Sequence, residues 1–205
     1  KVFTTELLAD LVADGKLRLT DPLQADAPPG VTIPGGGERP ITLLDLATHS
    51  AGLPREMGFA PEGTAPFTWP TPADRWKWFS SQTLGWPPGT VAAYSNVGFD
   101  LLADALATAA AKSYSALLKE RVTDPAGMTD TGLAPTSEQC ARLMTGSGIG
   151  GPGPCADTEA TGGSGGLYST GDDMVRKRSG APTLRSGWDG VNDIVHGHRH
   201  GAPGA

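Results

Sequence analysis

The sequence predicts a mostly helical lobe with long loops and little sheet, and three observations point there. Apolar residues recur at helical spacing in separate runs, cap-forming residues stand just before most of those runs, and Gly and Pro crowd the intervals. Hydrophobic side chains make up 38% of the 205 residues, enough to bury a core, while 29 Gly and 18 Pro commit much of the chain to turns. No apolar run approaches the length of a membrane span.

The first helix is expected over residues 3–14, where Phe3, Leu7, Leu8, Leu11 and Val12 share a face and Gly15 follows as a stop. Residues 16–22 turn out of it, and residues 24–40, rich in Pro and Gly, form a loop with at most a short strand near 31–33. Thr42 opens a second helix ending near His49, with Asp45 placed to answer the free N–H groups of its first turn. Thr71-Pro72-Ala73-Asp74 is another start, with Thr as cap and Pro at the first helical position. Trp76 and Phe79 share a face there, and Trp78 lies on another. The longest helix is expected over 97–111, turning Leu101, Leu102, Ala105 and Leu106 inward, followed by one over 114–122 capped by Ser113. Residues 146–166 are nearly all small and read as loop. Thr170-Gly171-Asp172-Asp173 can start one more helix, although Arg176, Lys177, Arg178 and Gly180 interrupt its apolar face. No internal repeat is visible.

A net charge of -6, from 16 basic against 22 acidic residues, argues against a nucleic-acid partner. Residue 1 is Lys rather than Met and the first helix begins at once, so the chain is expected to start inside a structural element. Cys140 and Cys155 flank a Gly/Pro-rich stretch. A bridge between them would fit an oxidising compartment; two free thiols are the alternative.

Chemistry-bearing residues are few. Tyr94-Ser95-Asn96 follows a Pro87-Pro88-Gly89-Thr90 turn and directly precedes the longest helix. A tyrosine hydroxyl beside a lysine can exchange a proton with a serine or a leaving group, and an Asn amide can hold a substrate carbonyl. The plainer reading is a loop Tyr packed on the lobe, with Asn96 capping the helix. Lys1 gains interest only beside Tyr94: a Ser three residues before a helical Lys shares its face, so the amine can activate the hydroxyl. Otherwise Lys1 is a solvated charge. His49 is expected to be a hydrogen-bonded core residue rather than a base. His196, His198 and His200 alternate in a Gly-rich tail where no functional metal site is expected.

In order along the chain, Lys1-Val2-Phe3-Thr4, the Gly-Lys-Leu-Arg-Leu-Thr-Asp-Pro stretch at 15–22, and the run from Ile41 through Thr48-His49-Ser50-Ala51-Gly52-Leu53-Pro54 resemble successive signatures of class C β-lactamase-related, penicillin-recognising serine hydrolases. Pro88-Gly89-Thr90 leading to Tyr94-Ser95-Asn96, then Asp124-Pro125-Ala126-Gly127-Met128, and Gly165-Gly166-Leu167-Tyr168-Ser169-Thr170 continue the resemblance. The 69–78 region, the 97–111 helix and the Cys140 to Cys155 segment look most like the periplasmic D-alanyl-D-alanine carboxypeptidase/endopeptidase branch.

The resemblance implies an α+β, β-lactamase/transpeptidase-like fold, of which this chain is mostly the helical lobe and lacks the C-terminal strands of the sheet. It implies a partial domain over 1–175 and a divergent or truncated tail over 176–205, in which the stretch from Trp188 to Val195 resembles the family's terminal helix. By residue-wise carry-over, Lys1 is the lysine that partners the acylated serine, Tyr94 moves protons and Asn96 positions the substrate amide. Ser95 is only the middle residue of its motif. The nucleophilic serine is expected upstream of Lys1, and the third motif is not found after Thr170: the stretch from His198 to Gly204 puts a bulky His where a Gly lets substrate lie against the strand. One oxyanion-hole N–H goes with the missing strands.

The implied activity is acyl-enzyme cleavage of D-Ala-D-Ala-type cell-wall peptides, with β-lactamase or esterase chemistry as alternatives within the fold. Peptidoglycan peptides or β-lactams are the implied partners, without cofactor, nucleic acid or membrane span, in the periplasm. The chain as given is expected to be inactive. A catalytically dead remnant or a non-enzymatic binding lobe is the competing reading. Cys140 and Cys155 are expected to bridge, and the first and last helices to expose apolar faces.

Overall fold

Most helices start on a capping side chain. The computed structural model describes residues 1–35, 39–58, 69–144 and 155–179. Helix α1 (Val2–Ala13) buries Thr4, Leu7, Leu8, Ala9 and Leu11. It stops where Gly15 takes φ +69, so that the N–H groups of Gly15 and Lys16 close back onto Val12 O and Leu11 O.

No strand forms at residues 31–33. The side chain of Gln24, on a short 3-10 helix (Leu23–Asp26), does what a strand partner would do: it donates to Val31 O and accepts from the Ile33 N–H, both at 2.9 Å. Helix α2 (Leu43–Ala47) has the expected Thr42/Asp45 capping box but ends before His49, because His49 itself takes the left-handed turn at φ 59. Helix α3 (Pro72–Ser80) starts on Thr71, whose hydroxyl accepts from the Asp74 N–H, and buries Trp76 and Phe79.

Helix α4 (Asn96–Ala110) is the centre of the lobe. Its Leu101, Leu102, Ala105 and Leu106 are fully buried, and it packs against α1, α2, α3 and α5 (Tyr114–Leu118). The expected 114–122 helix is α-helical only to Leu118, then continues as a wider π-helical turn over Lys119–Thr123 that buries Val122 and Thr123. Helix α6 (Ser137–Ala141) has a capping box between Thr136 and Gln139 but buries no residue, so it has no apolar stripe by which to be foreseen. In the described part of the expected 146–166 loop, a 3-10 turn forms over Glu159–Thr161. Helix α7 (Gly171–Ser179) begins at the expected place.

Cys140 and Cys155 form a disulfide, with Cα atoms 5.7 Å apart, tying α6 to the chain that follows. Among the described residues no strand forms; two isolated antiparallel bridges pair Pro22 with Thr42 and Gly132 with Tyr168. Val2 on α1 and Met174 and Val175 on α7 are exposed, but Leu7, Leu8 and Leu11, from the apolar face of α1 that was expected to be left uncovered, are buried in the lobe. The stretch at 188–195, the alternating histidines and the 198–204 stretch lie outside the described residues.

Candidate functional site

Two segments lie side by side and set the geometry. Backbone N–H groups of Gly85, Gly89, Ala93 and Asn96 donate to the carbonyls of Gly52, Ser50, His49 and Arg55, each at 2.8 Å. Gly52, at φ +76, has no room for a side chain, because a Cβ there would run into Trp86 O. The run around His49 to Pro54 is therefore the bed on which the Tyr94 loop lies.

Ser95 turns out to be the helix cap. Its Oγ accepts from the Gly98 N–H at 2.9 Å and donates to Pro54 O at 2.6 Å, and its N–H donates to His49 Nδ1 at 3.0 Å. Both Ser95 and Asn96 can cap, but only Ser95 has the extended backbone (φ -137, ψ 118) that a cap needs. Asn96 is thereby freed to face Lys1. With Ser95 buried and its hydroxyl engaged twice, it is unavailable as a nucleophile.

Lys1 comes together with Tyr94 and Asn96 from more than 90 positions away in the chain. Lys1 Nζ donates to Asn96 Oδ1 at 2.5 Å and to Ser164 O at 2.6 Å. It lies 4.8 Å from the centre of the Tyr94 ring and 5.4 Å from that of Phe99. The Asn96 amide is oriented from its other side, where Nδ2 donates to Glu56 Oε1 at 2.5 Å. The Tyr94 ring is half-exposed, packed at 4.7 Å from the His49 ring and 5.2 Å from the Arg55 guanidinium. Lys1 is thus no solvated charge, and Asn96 is no cap. Burial and, secondarily, the Lys1 ammonium hold His49 below its usual pKa, and its Nδ1 accepts the Ser95 N–H, so the neutral ring carries its proton on Nε2.

Behind Lys1 stands a buried ionic cluster that sequence reasoning did not find. Arg75 on α3, only 2% exposed, reaches Asp104 through Nε at 3.0 Å and Nη2 at 3.2 Å, Asp100 through Nη1 at 3.5 Å and Ala160 O at 2.7 Å. Asp100 Oδ1 accepts the Ser164 N–H at 2.8 Å. The preceding turn is held by Thr4, whose Oγ1 donates to Gly163 O at 2.7 Å and meets the Tyr114 hydroxyl at 2.8 Å. The available signal was Asp100 and Asp104, four apart, inside an otherwise apolar helix; their partner Arg75 is 25 or more positions away and cannot be paired with them by spacing.

Burial pushes the Asp100 carboxyl up to about 6, an effect Arg75 and Ser164 partly offset and Asp104 adds to. A carboxyl raised in the folded state binds its proton more tightly there than in the unfolded chain. Stability is therefore expected to fall as pH rises from about 4 to about 6, by roughly 2–3 kcal/mol from this group. Denaturant midpoints across that range should show the decline, and Asp100→Asn should remove most of it. An unchanged slope in that variant would assign the decline to other carboxyls.

A separate open groove is lined by Leu118, Met128, Leu133, Leu167 and Tyr168, and none of Lys1, Tyr94 or Asn96 borders it. Among the described residues no group of His, Cys, Asp and Glu is placed to hold a metal ion, and no helix is long and apolar enough to cross a membrane.

A beta-lactamase family profile matches residues 1–189. The D-alanyl-D-alanine-carboxypeptidase/endopeptidase AmpH of Escherichia coli K12 is 48% identical over 176 residues, covering 86% of this chain and 45% of that protein. The crystal structure of a beta-lactamase/D-alanine carboxypeptidase from Yersinia pestis, complexed with citrate, superposes with a TM-score of 0.80 at 48% identity, over 86% of this chain and 50% of that one. A beta-lactamase/D-alanine carboxypeptidase from Pseudomonas syringae shares the fold at a TM-score of 0.69 and 21% identity, over 85% of this chain and 46% of that one. The chain spans about half the length of the relatives it matches.

Proposed function

Because this chain belongs to the beta-lactamase family, we propose that it carries the proton-transfer side of a serine acyl-transfer site acting on D-Ala-D-Ala-type cell-wall peptides. The observation that carries this reading is Lys1 Nζ, held by Asn96 Oδ1 and Ser164 O over the Tyr94 ring. A serine three positions before Lys1 in a longer protein would lie one helical turn back on the same face, within reach of the amine.

With either Lys1 or Tyr94 in its deprotonated form, the pair takes the serine Oγ proton as Oγ bonds to the substrate carbonyl carbon. The pair then passes that proton to the nitrogen of the terminal D-Ala as the peptide C–N bond breaks, leaving an ester on the serine. Water then bonds to the ester carbon, giving up a proton to the same pair, which returns it to the serine Oγ as the C–Oγ bond breaks and the shortened peptide leaves as its acid. Asn96 Nδ2, now facing Glu56, is the amide placed to turn toward a substrate carbonyl. The step needs no cofactor. The Cys140–Cys155 bridge supports a periplasmic setting.

The test is turnover by the longer, serine-bearing protein of three substrates: a peptide ending in D-Ala-D-Ala, a chromogenic cephalosporin and a simple aryl ester. Release of D-Ala as the fastest reaction is expected. Turnover of the cephalosporin or ester alone would replace the substrate class with β-lactamase or esterase chemistry, and no turnover of any would favour a binding lobe.

A further inference from the structure

We propose that Asp100 is a positioning residue for the Lys1 side chain, acting through the main chain of Ser164 and itself held by Arg75; its bearing on catalysis rests on the reading of Lys1 given above. The Ser164 N–H is fixed on Asp100 Oδ1 at 2.8 Å, and the carbonyl of the same residue receives Lys1 Nζ at 2.6 Å. One residue of main chain therefore connects the buried carboxylate to the amine. Gly163 leaves this turn no slack: a Cβ there would run into Phe99 O and stand 2.6 Å from Ala103 Cβ, so the turn lies directly on α4.

The charge count argues that Asp100 is more than a partner for Arg75. Asp104 already engages two nitrogens of the guanidinium, at 3.0 and 3.2 Å, and so balances its charge. Asp100 is a second, buried carboxylate, farther from Arg75 at 3.5 Å, and its closest hydrogen bond is to Ser164 rather than to the cation. A neutral residue would spare the cluster that excess charge. What Asp100 adds is an anionic acceptor, stronger than a neutral one, at the base of the turn that holds Lys1.

The charged and titratable groups facing Asp100 are Arg75 from α3, Asp104 from its own helix, Tyr114 from α5 and the α-amino group of Lys1 at the start of α1, while His49 faces Lys1 from the other side. Burial places the Asp100 proton equilibrium at about 6, so the anchor should weaken as the carboxylate takes up its proton.

Nitrogen NMR of the 205-residue chain, with 15N-labelled lysines and the Lys1 signal assigned by its loss in Lys1→Arg, tests this without any catalysis. In Asp100→Ala, hydrogen exchange at Lys1 Nζ should quicken by about tenfold or more, and Asp100→Asn, whose amide oxygen is a weaker, neutral acceptor for the Ser164 N–H, should fall between that variant and the wild type. The wild-type 15Nζ shift should show a step between about pH 5 and 7 that is absent in Asp100→Asn and kept in His49→Gln. If Asp100→Ala does not fold, the pH step decides alone. A folded Asp100→Ala with unchanged exchange, or a step that persists in Asp100→Asn, overturns the proposal. Failure of the acyl-transfer reading would leave these signals as predicted, so the two can fail separately.

Discussion

In a serine-bearing longer form of this protein, Tyr94→Phe is expected to slow covalent labelling by penicillin about 100- to 10,000-fold, the usual contribution of a positioned proton-transfer group. The substitution leaves the ring, and with it the packing on His49 at 4.7 Å and beneath Lys1 at 4.8 Å, and removes only the hydroxyl. Ser95→Ala should behave in the opposite way. Its hydroxyl caps α4 and holds Pro54 O, so its loss should cost about 1–2 kcal/mol of stability while labelling slows far less. Stopped-flow labelling and denaturant unfolding on the same two variants separate the roles. If Ser95→Ala abolished labelling in a folded protein and Tyr94→Phe did not, the assignment of the tripeptide would be reversed.

Arg75→Met is expected to produce the largest loss of stability, about 3–5 kcal/mol at neutral pH, the range for breaking a buried ion pair from one side. Methionine fills much of the same space, so the loss reports charge more than volume. It leaves Asp100 and Asp104 buried side by side without their cation, and Ala160 O without its donor. Burial already pushes both carboxyls up, with Arg75 opposing it. The variant should therefore recover part of its stability as pH falls from about 6 or above toward about 4, where the buried carboxyls take up protons. Urea unfolding at neutral and acid pH checks both parts; a loss under about 1 kcal/mol would mean that water reaches the cluster.

Helix starts were legible because a cap is a local device: Thr42 with Asp45 and Thr71 with Asp74 each act within four residues. The core face of α4 was legible from spacing alone. What escaped was either without an apolar stripe, as in α6, or made by contacts distant in sequence. Gln24 replaced a strand partner at 31–33 with side-chain bonds that no β-propensity encodes. Arg75 stood out in no local pattern, because its partners Asp100 and Asp104 lie on another helix. Lys1 and Tyr94, 93 positions apart, were brought together by family resemblance rather than by any pattern within the chain; the distances of Lys1 Nζ to Asn96 and to the Tyr94 ring then supply the physical connection. Ser164 and Glu56, which hold Lys1 and Asn96 from behind, belong to no motif that was read.

Intact-mass spectrometry after incubation with a penicillin, followed by peptide mapping, tests the central claim most directly. The 205-residue chain should gain no adduct, since Lys1, Tyr94 and Asn96 move protons and position substrate but supply no acylated oxygen. A longer protein that adds a serine three positions before Lys1, together with the rest of the fold, should gain the mass of one penicillin on that serine. An adduct on the 205-residue chain itself, above all on Ser95, would contradict the account.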